Sequence, residues 1–298
     1  MLPQHRANFN GKVREMTKAL MLVRIRGGFL GLRGHAVGLI RHSHFVIPSS
    51  FVICYSSFRF MPRIDRAVLL AAGRGTRMRE LTAELPKPMI KVRGKPILLH
   101  ILEGLHGAGV RDFLIVVGYH AEVVQDYFGE GTCFGLQIKY VTQVVQDGTG
   151  RVVELGRDFV GQSPFILSYG DILVDPPNYK SLVELPDDVA AIVSVKRNED
   201  VSKGGAVVVN ERMEVTDIRE KPKPGEVTSP WYNAGIYAFR SSIFEWTAKL
   251  KPSPRGEYEL TDAVRGLAQS GKAVKAFELR GEWADVRDPE ILAELNRR

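Results

Sequence analysis

The run Ala67-Val68-Leu69-Leu70-Ala71-Ala72-Gly73-Arg74-Gly75-Thr76-Arg77-Met78 limits the fold more than any other part of the chain. A short apolar run that ends at glycine reads as a strand buried on both faces. Strands of that kind belong to parallel sheets covered by helices. The small residues after it let a ligand approach the backbone closely. Consecutive N–H groups in such a turn cup phosphate oxygens. Arg77 offers a planar fork of donors, and Lys87, between Pro86 and Pro88, offers a compact cation on a stiffened backbone. No Gly-Lys-Ser/Thr follows, so this is not the standard P-loop. Met78 stands where a dinucleotide fingerprint needs its third glycine. A tight turn with solvated arginines would explain the glycines alone. Lys87 at its fixed distance argues against that reading.

The pattern downstream alternates. Residues 98–107 have helical spacing and stop at Gly109. Residues 113–117 are a strand, 121–128 a helix, and 136–142 a strand with Leu136, Ile138 and Tyr140 on one face. Further strands are expected at 165–168 and 189–195. This order predicts a parallel sheet with helices on both faces. The second half changes character. Short strands at 206–209, 215–218 and 235–239 suggest an antiparallel patch near the rim. Helices are expected over 242–250 and 259–269, the latter capped by Thr261 or an acid near its start. Residues 274–279 read as a strand and 281–286 as a loop.

Charge divides the chain. The net charge is +7. Residues 1–60 hold nine basic residues and one acid, a charge of +8, so the other 238 residues carry −1. The body therefore gives no argument for a nucleic acid partner. The first sixty residues show no sustained period and are too broken for a membrane span. Their scattered arginines do not suit a secretory signal, and Gly27, Gly28, Gly31 and Gly34 do not suit an amphipathic presequence. The expectation is a poorly ordered or spurious extension over 1–60, with the working domain at 61–298 and a translation start at Met61. Cys54 and Cys133 show no ligand spacing, which fits a reducing cytoplasm.

The glycine run, with Leu70-Ala71-Ala72-Gly73, Gly75-Thr76-Arg77, Pro86-Lys87-Pro88, Val92 and Gly94-Lys95-Pro96, resembles the signature of the family that activates sugar 1-phosphates with nucleoside triphosphates. The resemblance extends over residues 64–289. It implies a three-layer, Rossmann-like, mixed but mostly parallel sheet with a small antiparallel sugar-binding patch. It further implies transfer of a nucleotidyl group from an NTP to a sugar 1-phosphate, giving an NDP-sugar and pyrophosphate.

On that resemblance, Leu70, Ala71, Ala72, Gly73, Gly75, Thr76 and Arg77 would hold the nucleotide. Gln143, Gly148 and Thr149 would contact base and ribose. Gly205, Glu220, Lys221 and Asn233 would hold the sugar phosphate. Asp171, after Tyr169-Gly170, and Asp285, in Trp283-Ala284-Asp285-Val286, would share Mg²⁺. Arg77, Lys87 and Asp171 would carry the catalysis. A Gly150-Arg151 pair stands where relatives have small residues leading into an alanine-rich helix. His100, His106 and His120 read as structural or surface residues.

A mannose or heptose 1-phosphate guanylyltransferase is the first expectation. A thymidylyl- or uridylyltransferase for glucose or amino-sugar 1-phosphate is the alternative. So are a cytidylyltransferase with a non-sugar acceptor and a non-catalytic NDP-sugar-binding regulator. No appended repeat domain, no membrane and no nucleic acid are expected, and a homo-oligomer is compatible with the chain.

Overall fold

The structure, a computed structural model, describes residues 63–297 and, before them, two paired two-residue strands, Arg24–Ile25 and Gly28–Phe29. Residue contacts divide the chain into Met1–Ser57 and Phe58–Arg298. The expectations for residues 1–60 and for Met61 fall outside the described residues.

Strand β1 (Arg66–Leu70) forms as the apolar run predicts, with Ala67, Val68 and Leu69 fully buried. Helix α1 (Ile97–Gly107) buries Ile97, Leu98, Ile101, Leu102 and Leu105 at the i, i+3, i+4 spacing of one face. Next come β2 (Asp112–Val117), α2 (Ala121–Phe128) and β3 (Gln137–Thr142), then α3 (Thr149–Glu154) and β4 (Phe165–Tyr169). β1 pairs in parallel with both β2 and β4, and β2 pairs in parallel with β3. Two apolar clusters fill the space on either side of the sheet, one around α1 and one around the helices of the second half.

The second half supplies β5 (Ile172–Val174), β6 (Val189–Arg197), β7 (Gly205–Val209), β8 (Val215–Glu220), β9 (Trp231–Phe239), α4 (Leu260–Gln269), β10 (Ala273–Glu278), β11 (Trp283–Asp285) and α5 (Pro289–Arg297). The main sheet has nine strands. Its path runs β8-β7-β9-β4-β1-β2-β3, and β6 bridges β9 and β10. The antiparallel strands β8 and β7 lie at one edge of the sheet, near the rim as expected, and are continuous with its centre. The cause is β9, which is longer than expected and buried throughout. Its last residues, Ile236 to Phe239, pair with β4, while Tyr232 pairs with Ala206 of β7.

Three local expectations are corrected. Residues 242–250 form a 3₁₀ turn, Ser241–Ile243, and one short helix, Phe244–Thr247, instead of one long helix. Helix α4 begins after Glu259 with no side-chain cap from its own first turn, and the Thr261 hydroxyl is buried without a hydrogen-bond partner among the described residues. Thr149 takes the capping role from another loop, its Oγ1 accepting from the Leu260 N–H at 3.3 Å. Residues 283–285 form β11, antiparallel to β5, where a loop was expected. No described helix is long and apolar enough to cross a membrane.

Candidate active site

Ligands in open α/β sheets bind beyond the carboxyl ends of the parallel strands. A cleft of about 520 Å³ lies there, beyond β1 and β4. One wall is the glycine loop, with Leu70, Ala72, Gly73 and Gly75. A second is Tyr169, Gly170 and Asp171. A third is Gln143, Gln146, Gly148 and Thr149. The fourth holds Lys221, Arg255, Glu257 and Arg287.

The loop is built around contact with Lys87. Gly75 has φ +63, and a Cβ there would lie 2.8 Å from the Lys87 Cβ. Only glycine suits both the backbone and the space. Thr76 and Arg77 open the 3₁₀ turn Thr76–Thr82. Their side chains lie outside the described part of the structure. Ala71 is turned into the core and its N–H is taken by the Val116 carbonyl at 2.8 Å. Ala72, Gly73 and Gly75 face the cleft.

Lys87 and the two aspartates converge. The Lys87 ammonium donates to Asp171 Oδ2 and lies 3.7 Å from Asp285 Oδ1. All three side chains are largely buried. Asp171 follows β4 directly, whereas Asp285 arrives on β11, opposite Ile172 of β5. The Val286 N–H donates to the Asp171 carbonyl at 3.0 Å and locks the two segments together. No group of three or more metal-ligating side chains occurs among the described residues. The Asp171–Asp285 pair is nevertheless a hard-oxygen donor set already gathered about one cation. Mg²⁺ suits one or two carboxylates completed by substrate phosphates and water.

Gln143 is half-buried just after β3 and donates to the Val145 carbonyl at 2.8 Å. Gln146 reaches back to the Ala72 carbonyl at 3.2 Å. The Gly148-Thr149-Gly150 segment is pinned backbone to backbone on Tyr258. The Tyr258 N–H donates to Asp147 and the Gly150 N–H to Tyr258, at 2.7 and 2.8 Å. Gly148 has φ +117, and a Cβ there would meet the Tyr258 nitrogen at 2.5 Å. Arg151 lies over the Tyr258 ring at 4.1 Å, which accounts for the unusual arginine.

Gly205, Glu220 and Asn233 gather beside the fourth wall. Gly205 pairs with Glu220 across β7 and β8, and a Cβ on Gly205 would lie 2.9 Å from the Asn233 Cβ. Asn233 is buried. Its Nδ2 donates to the Tyr237 hydroxyl at 2.6 Å, while its Oδ1 has no hydrogen-bond partner among the described residues. Burial, reinforced by the nearby Glu259 carboxylate, pushes Glu220 up to about 7. Arg255 sits among the acids, 3.9 Å from Glu220, 3.3 Å from Glu259 and 2.9 Å from Glu257.

Gln146, Tyr169, Arg255, Glu257 and Arg287 are among the lining residues that are absent from the expected site residues. Arg255 had a signal, since Arg255-Gly256-Glu257 precedes a helix at a predicted strand-rich face. Arg287 had only its place two residues after Asp285. His100 bonds the Val92 carbonyl at 2.8 Å and His120 contacts Glu122 and the Ala83 carbonyl, so both have structural partners. Cys133 is exposed as a free thiol, and Cys54 lies outside the described residues.

Residues 66–298 match the family model described as Nucleotidyl transferase. The chain belongs to that family. Bifunctional protein GlmU of Methanococcus maripaludis is 36% identical over 231 residues, covering 77% of this chain and 53% of that protein. UTP–glucose-1-phosphate uridylyltransferase AglF of Haloferax volcanii is 34% identical over 237 residues, covering 78% of this chain and 96% of that protein. The chain spans about half the length of the bifunctional relatives it matches. A solved structure of UDP-glucose pyrophosphorylase complexed with UDP-glucose superposes with a TM-score of 0.72 at 27% identity, covering 78% of this chain and 97% of that one. The nucleotidyl transferase fold is thus a mixed parallel and antiparallel sheet flanked by helices, as the sequence led one to expect.

Proposed function

We propose that this nucleotidyl transferase joins an NTP to a sugar 1-phosphate, releasing pyrophosphate and an NDP-sugar. The observation that carries the reading is the Lys87 ammonium held between Asp171 and Asp285 on the floor of the cleft. The glycine loop, Lys221 and Arg255 line the same cleft as Lys87 and Asp171. A triphosphate fits the loop side, because backbone N–H groups and Lys87 face it. A second phosphate fits the side of Lys221 and Arg255.

An oxygen of the sugar phosphate would attack the α-phosphorus, forming a P–O bond as the bond to pyrophosphate breaks. A phosphate dianion is already a competent nucleophile, so no strong base is required. The work is positioning and charge neutralisation. Lys87 would stabilise the α-phosphoryl oxygens. Lys221 would hold the incoming phosphate. Gly205, Glu220 and Asn233 would seat the sugar, with the unpaired Asn233 Oδ1 aimed at a hydroxyl. Asp171 and Asp285 would hold Mg²⁺, which when bound neutralises charge on the reacting phosphates. Arg77 would meet the β- and γ-phosphates, and Gln143, Gly148 and Thr149 the base and ribose.

For the substrates, we favour a pyrimidine nucleotide, UTP first, with glucose 1-phosphate. AglF carries that activity in its name, and the superposed pyrophosphorylase was solved with UDP-glucose. This supports the uridylyl alternative over the guanylyl expectation for mannose or heptose. The test is pyrophosphate release from the full chain with UTP, dTTP, GTP and CTP against glucose, glucosamine and mannose 1-phosphates. UTP with glucose 1-phosphate is expected to lead. A preference for GTP with mannose 1-phosphate restores the first expectation. Tight NDP-sugar binding without pyrophosphate release indicates a regulator, and CTP with only non-sugar acceptors sinks the sugar reading.

A further inference from the structure

Arg287 has no part in the scheme above, yet its position is unusual. It lines the main cleft and also a second cavity of about 250 Å³, which is lined in addition by Trp283 and Asp285. The guanidinium is largely buried. Its Nη1 lies 3.8 Å from Asp285 Oδ2, and its Nε lies 3.9 Å from Asp288 Oδ2. Both distances are ion-pair range and too long for hydrogen bonds. Nη1 is buried with no hydrogen-bond partner among the described residues. A structural arginine in a protein interior ordinarily commits its fork to carboxylates or carbonyls. Arg240 and Arg265 in this chain do so, each donating two hydrogen bonds or more at 3.0 Å or less. Arg287 is held in place by charge, and its Nη1 stays uncommitted among the described residues.

Its neighbours decide which phosphate it serves. The glycine loop and Lys87 face the triphosphate end. Arg287 instead lines the second cavity with Trp283, whose ring lies 5.4 Å from the ring of Tyr232. Tyr232 precedes Asn233, and its hydroxyl packs against Gly204, next to Gly205. Arg287 is therefore on the acceptor side of the Lys87–aspartate cluster.

We propose that Arg287 is a substrate-binding residue that clamps the 1-phosphate of the acceptor together with Lys221. This rests on the reading of the cleft as a sugar-1-phosphate site. The planar fork takes two phosphate oxygens at once, which an ammonium cannot.

The experiment compares the full-length protein with Arg287→Ala and Arg287→Lys. The KM for glucose 1-phosphate is expected to rise roughly tenfold to a hundredfold in Arg287→Ala, the loss of a charge-assisted contact. It should rise by a smaller factor in Arg287→Lys, with the KM for UTP within about twofold of the parent in both. Calorimetric titration of glucose 1-phosphate, with a UTP analogue carrying a methylene between the α- and β-phosphorus, should weaken in parallel. Should Arg287→Ala fail to give the parent's thermal transition, Arg287→Lys alone decides. An unchanged acceptor KM, or a loss carried by the KM for UTP, overturns the assignment. A parent that releases no pyrophosphate with any pair overturns the proposed function instead, and the titration still judges Arg287.

Discussion

Lys87 is the residue on which the proposed chemistry turns, because its ammonium contacts both aspartates. If it stabilises charge that develops at the α-phosphorus, its loss must fall on turnover more than on binding. Lys87→Ala is expected to lower kcat by roughly a hundredfold or more, the scale for losing one well-placed donor. The KM values should move much less. Steady-state kinetics of pyrophosphate release test this, and a near-normal kcat would remove Lys87 from the mechanism. The same geometry makes Asp171→Ala informative. Removing that carboxylate frees the ammonium and halves the proposed cation donor set, so turnover should vanish and a magnesium titration up to tens of millimolar should not restore it.

Glu220 gives a pH signature at the same scale. Its folded value of about 7 lies above the ordinary carboxylate value, so the folded protein binds a proton there that the unfolded chain releases. The sign follows directly. Stability is at its full value below the unfolded value near 4.5, and it falls as pH rises through 7. The loss for this mostly buried group is on the order of 2–3 kcal/mol. Glu220→Gln should flatten that slope, and denaturant unfolding at pH 5.5 and 8 measures it. A parent that grows more stable across that range contradicts the assignment.

Elements show where the sequence was readable. β1, β2 and β4 were legible because each is a continuous apolar run between turn signals, and α1 because its buried residues keep a helical period. β11 was not. Three residues that include Asp285 and lie after Gly281 carry no period, and they form a strand only because β5, far back in the chain, offers its edge. β9 was read short because Asn233, a polar residue, interrupts its apolar run. The site split in the same way. The Gly73–Gly75 turn and Lys87 are local and were readable together. Gly148 and Thr149 were named too, but the shape of their loop was not readable, since it depends on Tyr258 and on the Leu260 N–H that Thr149 receives. That dependence is testable. Gly148→Ala places a methyl against the Tyr258 backbone at positive φ. The strain should cost about 2 kcal/mol. The melting temperature should then drop by roughly 4–8 °C. The KM for UTP should rise more than that for the sugar phosphate, because the displaced loop lines the cleft beside Gln143 and Gln146. A variant with parent-like melting would show that the loop gives way freely.

At the scale of the whole molecule, charge and architecture are divided at nearly the same place. Residues 1–60 carry +8 and the remainder −1. Contacts separate the chain after Ser57, and the family match begins at residue 66. Every cleft residue lies in the second unit. The proposed chemistry therefore has no need of the basic segment, which carries the net positive charge of the chain. A chain beginning at residue 61 is expected to keep kcat and both KM values within about twofold of the full chain. It should lose retention on a phosphate-rich polyanion matrix at low salt, because its net charge changes from +7 to −1. Kinetics and a salt-gradient elution, run on both proteins, separate the two properties. Loss of turnover on truncation would mean that the first sixty residues reach the catalytic unit. Retention that persists would mean that the cleft cations Lys221, Arg255 and Arg287 bind the polyanion themselves, and competition by UTP would then locate it.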